Sequence, residues 1–300
     1  MRFFLFLTLL VFLKPFNLSA QELSMYQYED SLKVLGNVII NDTTETARST
    51  ANEKFIKTLI SALKTKGSFN YKFSRLQNIV SIVTPEDRKF RVFTWFVFSR
   101  NGNFRYYGAI QMSNPEKLEL IPLIDGTQEL ENGTEQTLLP SNKWLGSVYY
   151  NITPVTGKPF YYILLGWKGN SIESSSKVIE TLSFENGRVV FGKPVFQQEP
   201  KSNIYLARRV FTYNSDASMF LRYIKNDKVF AFDHLVPPHQ EFQNSKDKYI
   251  PDLTYDGYKY KNGKWIYVED LDLKNLPDEK DDSFVDPSKI TPSSIPIRKY

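Results

Sequence analysis

The sequence contains no cysteine. Disulfides, thiolate catalysis and thiolate metal sites are therefore excluded, and so is a lipid anchor on a cysteine following a leader. Histidine is almost missing as well: His234 and His239 are the only two. Beyond the first twenty positions no segment stays apolar for the roughly 20 residues that a membrane-spanning helix needs. Blocks of five or six like charges are also lacking, so nucleic-acid binding has little support. There is no G-x-S-x-G nucleophile elbow and no phosphate-cradling glycine loop.

What is present begins with Met1-Arg2, an apolar run from Phe3 to Leu13, and a close through Leu18-Ser19-Ala20 before Gln21. Basic, apolar and then small is the order of a secretory leader. Lys14 and Pro15 interrupt the run before it is long enough to span a bilayer. The pattern predicts a signal peptide over 1–20, cleaved after Ala20, and a product that is exported, is not a lipoprotein and has no transmembrane segment. The 38 basic and 33 acidic residues give a formal charge of +5, and losing Arg2 and Lys14 lowers it to +3. A chain of this size can bury a core without disulfides.

The stretch Glu22 to Asn37 is weakly patterned and reads as a short helix or an irregular lead-in. Ala47, Ala51, Phe55, Leu59 and Leu63 recur at every fourth position, joined by Ile56 and Ile60. That spacing predicts an amphipathic helix, opened near Asp42 and stopped near Gly67. Lys54, Lys57 and Lys64 decorate its polar side, as solvated lysines or as a membrane-surface face.

From Ile79 onward the period becomes extended. One group of strands is Ile79 to Val83, Phe90 to Phe98, Phe104 to Met112 and Leu118 to Leu123. A second is Trp144 to Tyr150, Phe160 to Trp167, Val178 to Phe184 and Arg188 to Phe191. A third is Ile204 to Tyr213, Ser218 to Ile224 and Lys228 to Asp233, closed by the hairpin Tyr255 to Tyr260 and Trp265 to Val268. Asn186-Gly187 and Asn262-Gly263 predict tight hairpin turns. The fold expected is mainly β, with antiparallel meanders forming a sandwich or partly open barrel and a propeller-like arrangement as the alternative. A single domain over 21–273 and an extended or disordered tail over 274–300 complete the picture, the tail being rich in proline and acidic residues.

Candidate chemistry is sparse. Asp233, His234 and His239 offer imidazole and carboxylate groups in one stretch, with Pro237-Pro238 turning the chain out of a sheet. Asp233, His234 and Asp256 are the candidate catalytic residues, provided that they converge. A structural use of His234 at a strand end is the alternative. A glycosidase pair drawn from Glu86, Asp125, Asp233 and Asp256 is not ranked by sequence. Asp270 and Asp272, read as lying on an extended strand, would point the same way and are candidate calcium ligands, or simply solvated carboxylates. Phe93 and Trp95 share a strand face with Phe96 opposite, and the pairs Tyr106-Tyr107, Tyr149-Tyr150 and Tyr161-Tyr162 split between faces. Trp95, Tyr107, Tyr150 and Trp167 are the candidates for an exposed aromatic platform, which core packing would otherwise absorb.

The segments Phe232-Asp233-His234-Leu235-Val236-Pro237-Pro238, Tyr255-Asp256-Gly257-Tyr258 and Gly263-Lys264-Trp265-Ile266-Tyr267-Val268 resemble a family of exported, β-rich proteins of Bacteroidota that has no assigned activity. Arg91-Val92-Phe93-Thr94-Trp95 and Leu164-Leu165-Gly166-Trp167 are similar to other strand signatures of the same family. The resemblance implies periplasmic or outer-envelope residence. It also implies glycosylation at Asp-Ser/Thr sites such as Asp30-Ser31-Leu32 and Asp42-Thr43-Thr44. The resulting expectation is a noncatalytic module that binds an envelope protein or a glycan, with a glycan-acting or metal-assisted hydrolase as the alternative.

Overall fold

A computed structural model describes residues 24–99, 102–130, 134–157 and 159–273. The expected leader at 1–20 and the tail at 274–300 lie outside the described residues.

Two helices come first. The lead-in is a full helix, α1 (Met25–Asn41), and not a short or irregular segment. Ser24 Oγ accepts from the Gln27 amide at 3.3 Å while Gln27 Oε1 accepts from the Ser24 amide at 2.8 Å, a reciprocal capping box. Its buried stripe is Glu29, Leu32, Gly36 and Ile39. Helical spacing is present there, but a glutamate and a glycine stand where apolar residues are expected. Gly36 has a packing reason, since a Cβ there would lie 2.5 Å from the Ile79 side chain.

The second helix, α2 (Glu45–Lys64), carries the predicted stripe, with Ala51, Phe55, Leu59 and Leu63 buried. Thr44 caps it, and Asp42 instead ends α1 and accepts from the Thr44 amide and hydroxyl, both at 2.8 Å. Lys54, Lys57 and Lys64 are exposed.

The first sheet has the order β1 (Ser81–Val83), β2 (Phe90–Phe98), β3 (Phe104–Met112), β4 (Leu120–Ile124), a simple meander. The chain continues with β5 (Leu139–Pro140), β6 (Val148–Val155), β7 (Tyr161–Gly169), β8 (Ser174–Glu185) and β9 (Arg188–Phe191). These form a central sheet in the order β5-β9-β8-β7-β6. Short strands β10 (Phe196–Gln197) and β11 (Tyr205–Leu206) are followed by β12 (Arg209–Asn214), β13 (Leu221–Ile224), β14 (Val229–Val236), β15 (Ile250–Lys261) and β16 (Lys264–Val268). The outer sheet runs β11-β10-β16-β15-β14-β13, whereas β12 pairs with β8 in the central sheet. The expected strand Ile204 to Tyr213 is therefore two strands in two sheets. Residues 144–147 likewise lie outside β6, which starts at Val148.

Among the described residues the named strands pair antiparallel except for the parallel contact between Phe196 and Trp265, and an isolated parallel bridge joins Asp125 to Trp144. At both predicted hairpin turns the two central residues have positive φ: 50° and 75° at Asn186-Gly187, and 51° and 79° at Asn262-Gly263.

Side-chain alternation stacks these units into layers. Phe93, Trp95 and Val97 of β2 pack under the helices, while Phe90 and Val92 face the central sheet. Within β7, Tyr162 and Leu164 join the first sheet's core, and Tyr161, Ile163 and Leu165 meet Phe230, Phe232, Tyr258 and Trp265 of the outer sheet. All nine residues of β7 are buried. The sheets form a sandwich-like arrangement with N-terminal helices and no closed barrel. Because the central sheet is covered on both sides, the abundant aromatic residues are mostly consumed as core.

Candidate functional sites

The outer sheet brings two of the three candidate catalytic residues together. Asp256 sits opposite Phe232 in the β14–β15 ladder, and its side chain is nearly fully buried. His234 Nδ1 donates to Asp256 Oδ2 at 2.6 Å, and the Tyr267 hydroxyl donates to the same oxygen at 2.6 Å. The Asp270 amide reaches Asp256 Oδ1 at 3.3 Å. When Nδ1 carries the proton in this bond, the Nε2 of a neutral ring is left without one. The His234 side chain is 43% exposed. Partial burial works against its protonation, but the bond to Asp256 and the charges of Asp256, Asp252 and Asp270 outweigh it and raise the pKa.

The ladder is interrupted at this point. Asp233 pairs with Tyr255 and Leu235 with Pro251, so His234 faces the three-residue bulge Asp252-Leu253-Thr254. Leu253 is 87% exposed and has φ 72°, a left-handed conformation costly for a branched side chain. Asp252 accepts from the Thr254 amide at 3.0 Å and hydroxyl at 2.7 Å. The chain leaves the sheet after Val236, as Pro237-Pro238 predicts.

Asp233 is adjacent in sequence but serves elsewhere. Its Oδ2 accepts from the Phe220 amide at 2.7 Å, and its own amide donates to Phe220 O at 3.1 Å, closing the β13–β14 hairpin. Burial raises its pKa against that hydrogen bond. His239 lies beyond the strand, next to a short 3₁₀ turn.

The other candidates disperse. Trp95 is buried under α2, where its indole donates to Asn52 Oδ1 at 2.8 Å and it stacks on Tyr107. Trp167 is buried against Phe96 and Phe104. Tyr150 is half-buried, and its hydroxyl donates to Leu221 O at 2.9 Å. These four do not form one exposed platform, because the helices, the first sheet and the outer sheet cover the strand faces that carry them.

Asp270 and Asp272 follow the end of β16 instead of lying on it, and Asp270 has φ 50°. Two-residue alternation does not apply there. No cluster of three or more His, Cys, Asp or Glu suited to a metal occurs among the described residues. Glu86 pairs with Lys225 on the surface.

A second site was hidden from the sequence. At the end of β7, Lys168 is only 6% exposed and lines a cleft of about 540 Å³ with Thr127, Gln136, Asn170, Ser176 and Thr212. Its ammonium donates to Thr127 Oγ1 at 2.9 Å and to Gly146 O at 3.1 Å, and lies 4.5 Å from the centre of the Tyr106 ring. Both oxygen acceptors are neutral. The carboxylate that answers its charge, Asp125, is one hydroxyl away, accepting from Thr127 Oγ1 at 2.5 Å and from the Tyr106 amide at 2.9 Å. Burial lowers the Lys168 pKa to about 8, with Asp125 opposing.

On the cleft wall Asn170 Nδ2 donates to Ser176 Oγ at 2.9 Å, and Ser176 shares a 2.9 Å hydrogen bond with Thr212. In sequence Lys168-Gly169-Asn170 reads as a solvated turn; the only hint is that a lysine directly continues an apolar strand.

Scans against protein-family models, curated proteins and solved structures return no match for this chain.

Proposed function

We propose that the protein is an exported envelope module that binds a glycan through the Lys168 cleft without transforming it. Export and envelope residence rest on the leader pattern of Met1 to Ala20 and on the family resemblance. Glycan binding rests on one observation: an open cleft with a wall of pre-bonded amide and hydroxyl groups, Ser176 and Thr212 on the paired strands β8 and β12 and Asn170 just past the end of β7. Such groups recognise hydroxyl-rich ligands by directed hydrogen bonds, and their mutual bonds reduce the ordering cost of binding. The test is a glycan-array screen of the purified protein. Saturable binding, weakened at least tenfold by Thr212→Val, is expected; absence of binding to every saccharide overturns the reading.

A hydrolytic reading is favoured by the pair of His234 and Asp256, since a carboxylate-oriented imidazole with a free Nε2 suits general-base activation of water. Product analysis of the same saccharides decides between the two. New reducing ends that disappear in His234→Asn establish hydrolysis in place of simple binding.

A further inference from the structure

Resting on the cleft reading above, we propose that the ligand is a sugar acid whose carboxylate docks on Lys168 while its hydroxyls meet the Asn170–Ser176–Thr212 wall.

The inference starts from how differently the charges around the cleft are satisfied. Glu135 also lines it, but that carboxylate accepts from the Val210 amide at 2.8 Å and pairs with Arg209 at 3.2 Å, so its charge is already answered. Among the described residues, Lys168 has Thr127, Gly146 and the Tyr106 ring in direct contact with its ammonium, and Asp125 acts on it through Thr127. A tetrahedral ammonium has three donors, two of which are committed to neutral oxygens. Taking a cation out of water without a direct anionic partner is costly, and a ligand carboxylate would supply that partner. Lys246 at the rim adds a second positive charge, so the cleft attracts anions from solution.

The remaining surroundings narrow the class. Leu145, Leu206 and Val210 give the cleft apolar patches, and no aromatic ring is among its lining residues in the described chain. Selection must therefore come from hydrogen bonds and charge, with stacking playing no part. A bare inorganic anion would leave the hydroxyl and amide wall unused, and a neutral sugar would leave Lys168 without a direct anionic partner. A hydroxylated monocarboxylate engages both.

Calorimetry with a glucuronate-terminated disaccharide, its glucose-terminated neutral counterpart and inorganic phosphate tests this. The acidic disaccharide should bind at least tenfold more tightly than the neutral one. Its affinity should fall as pH rises from 7 to about 9.5, where the amine loses its proton, a trend readable on the unmodified protein. Lys168→Met should remove the preference for the acid, and Lys168→Arg should retain part of it. Equal binding of the two disaccharides, or a preference that survives in Lys168→Met, overturns the sugar-acid assignment and leaves glycan binding standing. Binding of phosphate in preference to the uronate also overturns it. If neither disaccharide binds and the array is blank, the glycan reading fails as well.

Discussion

Of the cations buried in the central layers, Lys168, Lys177 and Arg208, two are treated in opposite ways. Arg208, fully buried, bonds Glu180 Oε2 through Nε at 2.7 Å and donates through Nη1 to the carbonyls of Thr134 and Thr137 and through Nη2 to that of Phe191. Lys168, nearly as buried, has neutral acceptors and an opening beside it. A guanidinium enclosed by protein oxygens and bonded directly to a carboxylate offers no open approach to a ligand, whereas an ammonium held by neutral oxygens beside a cleft does. The difference separates a cation that ties strands together from one to which we assign recognition, although sequence shows only a basic residue inside one expected strand, Ile204 to Tyr213, and another just past the end of Phe160 to Trp167.

The largest effect should come from breaking the closed pair. Glu180→Leu strands the Arg208 guanidinium in the core, and denaturant unfolding should show a loss of about 3–5 kcal/mol. Loss below about 1 kcal/mol would mean that carbonyls alone satisfy Arg208, and the contrast with Lys168 would collapse.

The open case should behave otherwise. The Lys168 pKa is lowered from 10.5 to about 8 in the fold, so between these values the unfolded chain holds more protons. Stability attributable to Lys168 therefore rises with pH through that window, by up to about 3 kcal/mol for a shift of this size. In Lys168→Met that increment should vanish from unfolding curves measured at pH 7 and pH 10. A variant with the wild-type pH slope would place the proton uptake on another group.

Sequence made the fold more legible than the sites, and the reasons are physical. Strands such as Phe90–Phe98 and Arg188–Phe191 announce themselves because β-branched and aromatic residues sit between strong turn signals. α1 was obscured because its buried stripe includes Glu29, whose carboxylate accepts from the Tyr71 hydroxyl and the Arg75 amide, a pairing more than forty residues away in sequence. The same limit governs the sites. His234 and Asp256 meet only across the β14–β15 ladder, so their pairing needed the register, and Asp233 was drawn in by adjacency alone. Lys168 was lost because its environment is assembled from Thr127, Gly146 and Tyr106 on other segments. The aromatic candidates failed for a related reason: period-two alternation assigns a side chain to a face but does not say whether another layer covers that face.

His234 lies between the two extremes, a half-exposed imidazole on a buried carboxylate, and Asp256→Asn should give the smallest effect of the series. The change keeps the shape but turns charge-assisted bonds from His234 and Tyr267 into neutral ones, a cost of about 1–2 kcal/mol. The sign with pH is fixed by the raised His234 pKa. Its contribution is complete below the unfolded value of 6.5 and is lost as pH rises through the higher folded value. The variant should therefore lose most at acidic pH and less in alkaline solution, where the weakened Tyr267 bond remains. With only two histidines in the chain, imidazole resonances followed by NMR can report on this site directly. The His234 midpoint should drop in Asp256→Asn, because burial still disfavours the imidazolium and its main counter-charge is gone. An unchanged midpoint would show that Asp252 and Asp270 hold the charge, and the residue orienting the imidazole would then have to be sought in the bulge facing it.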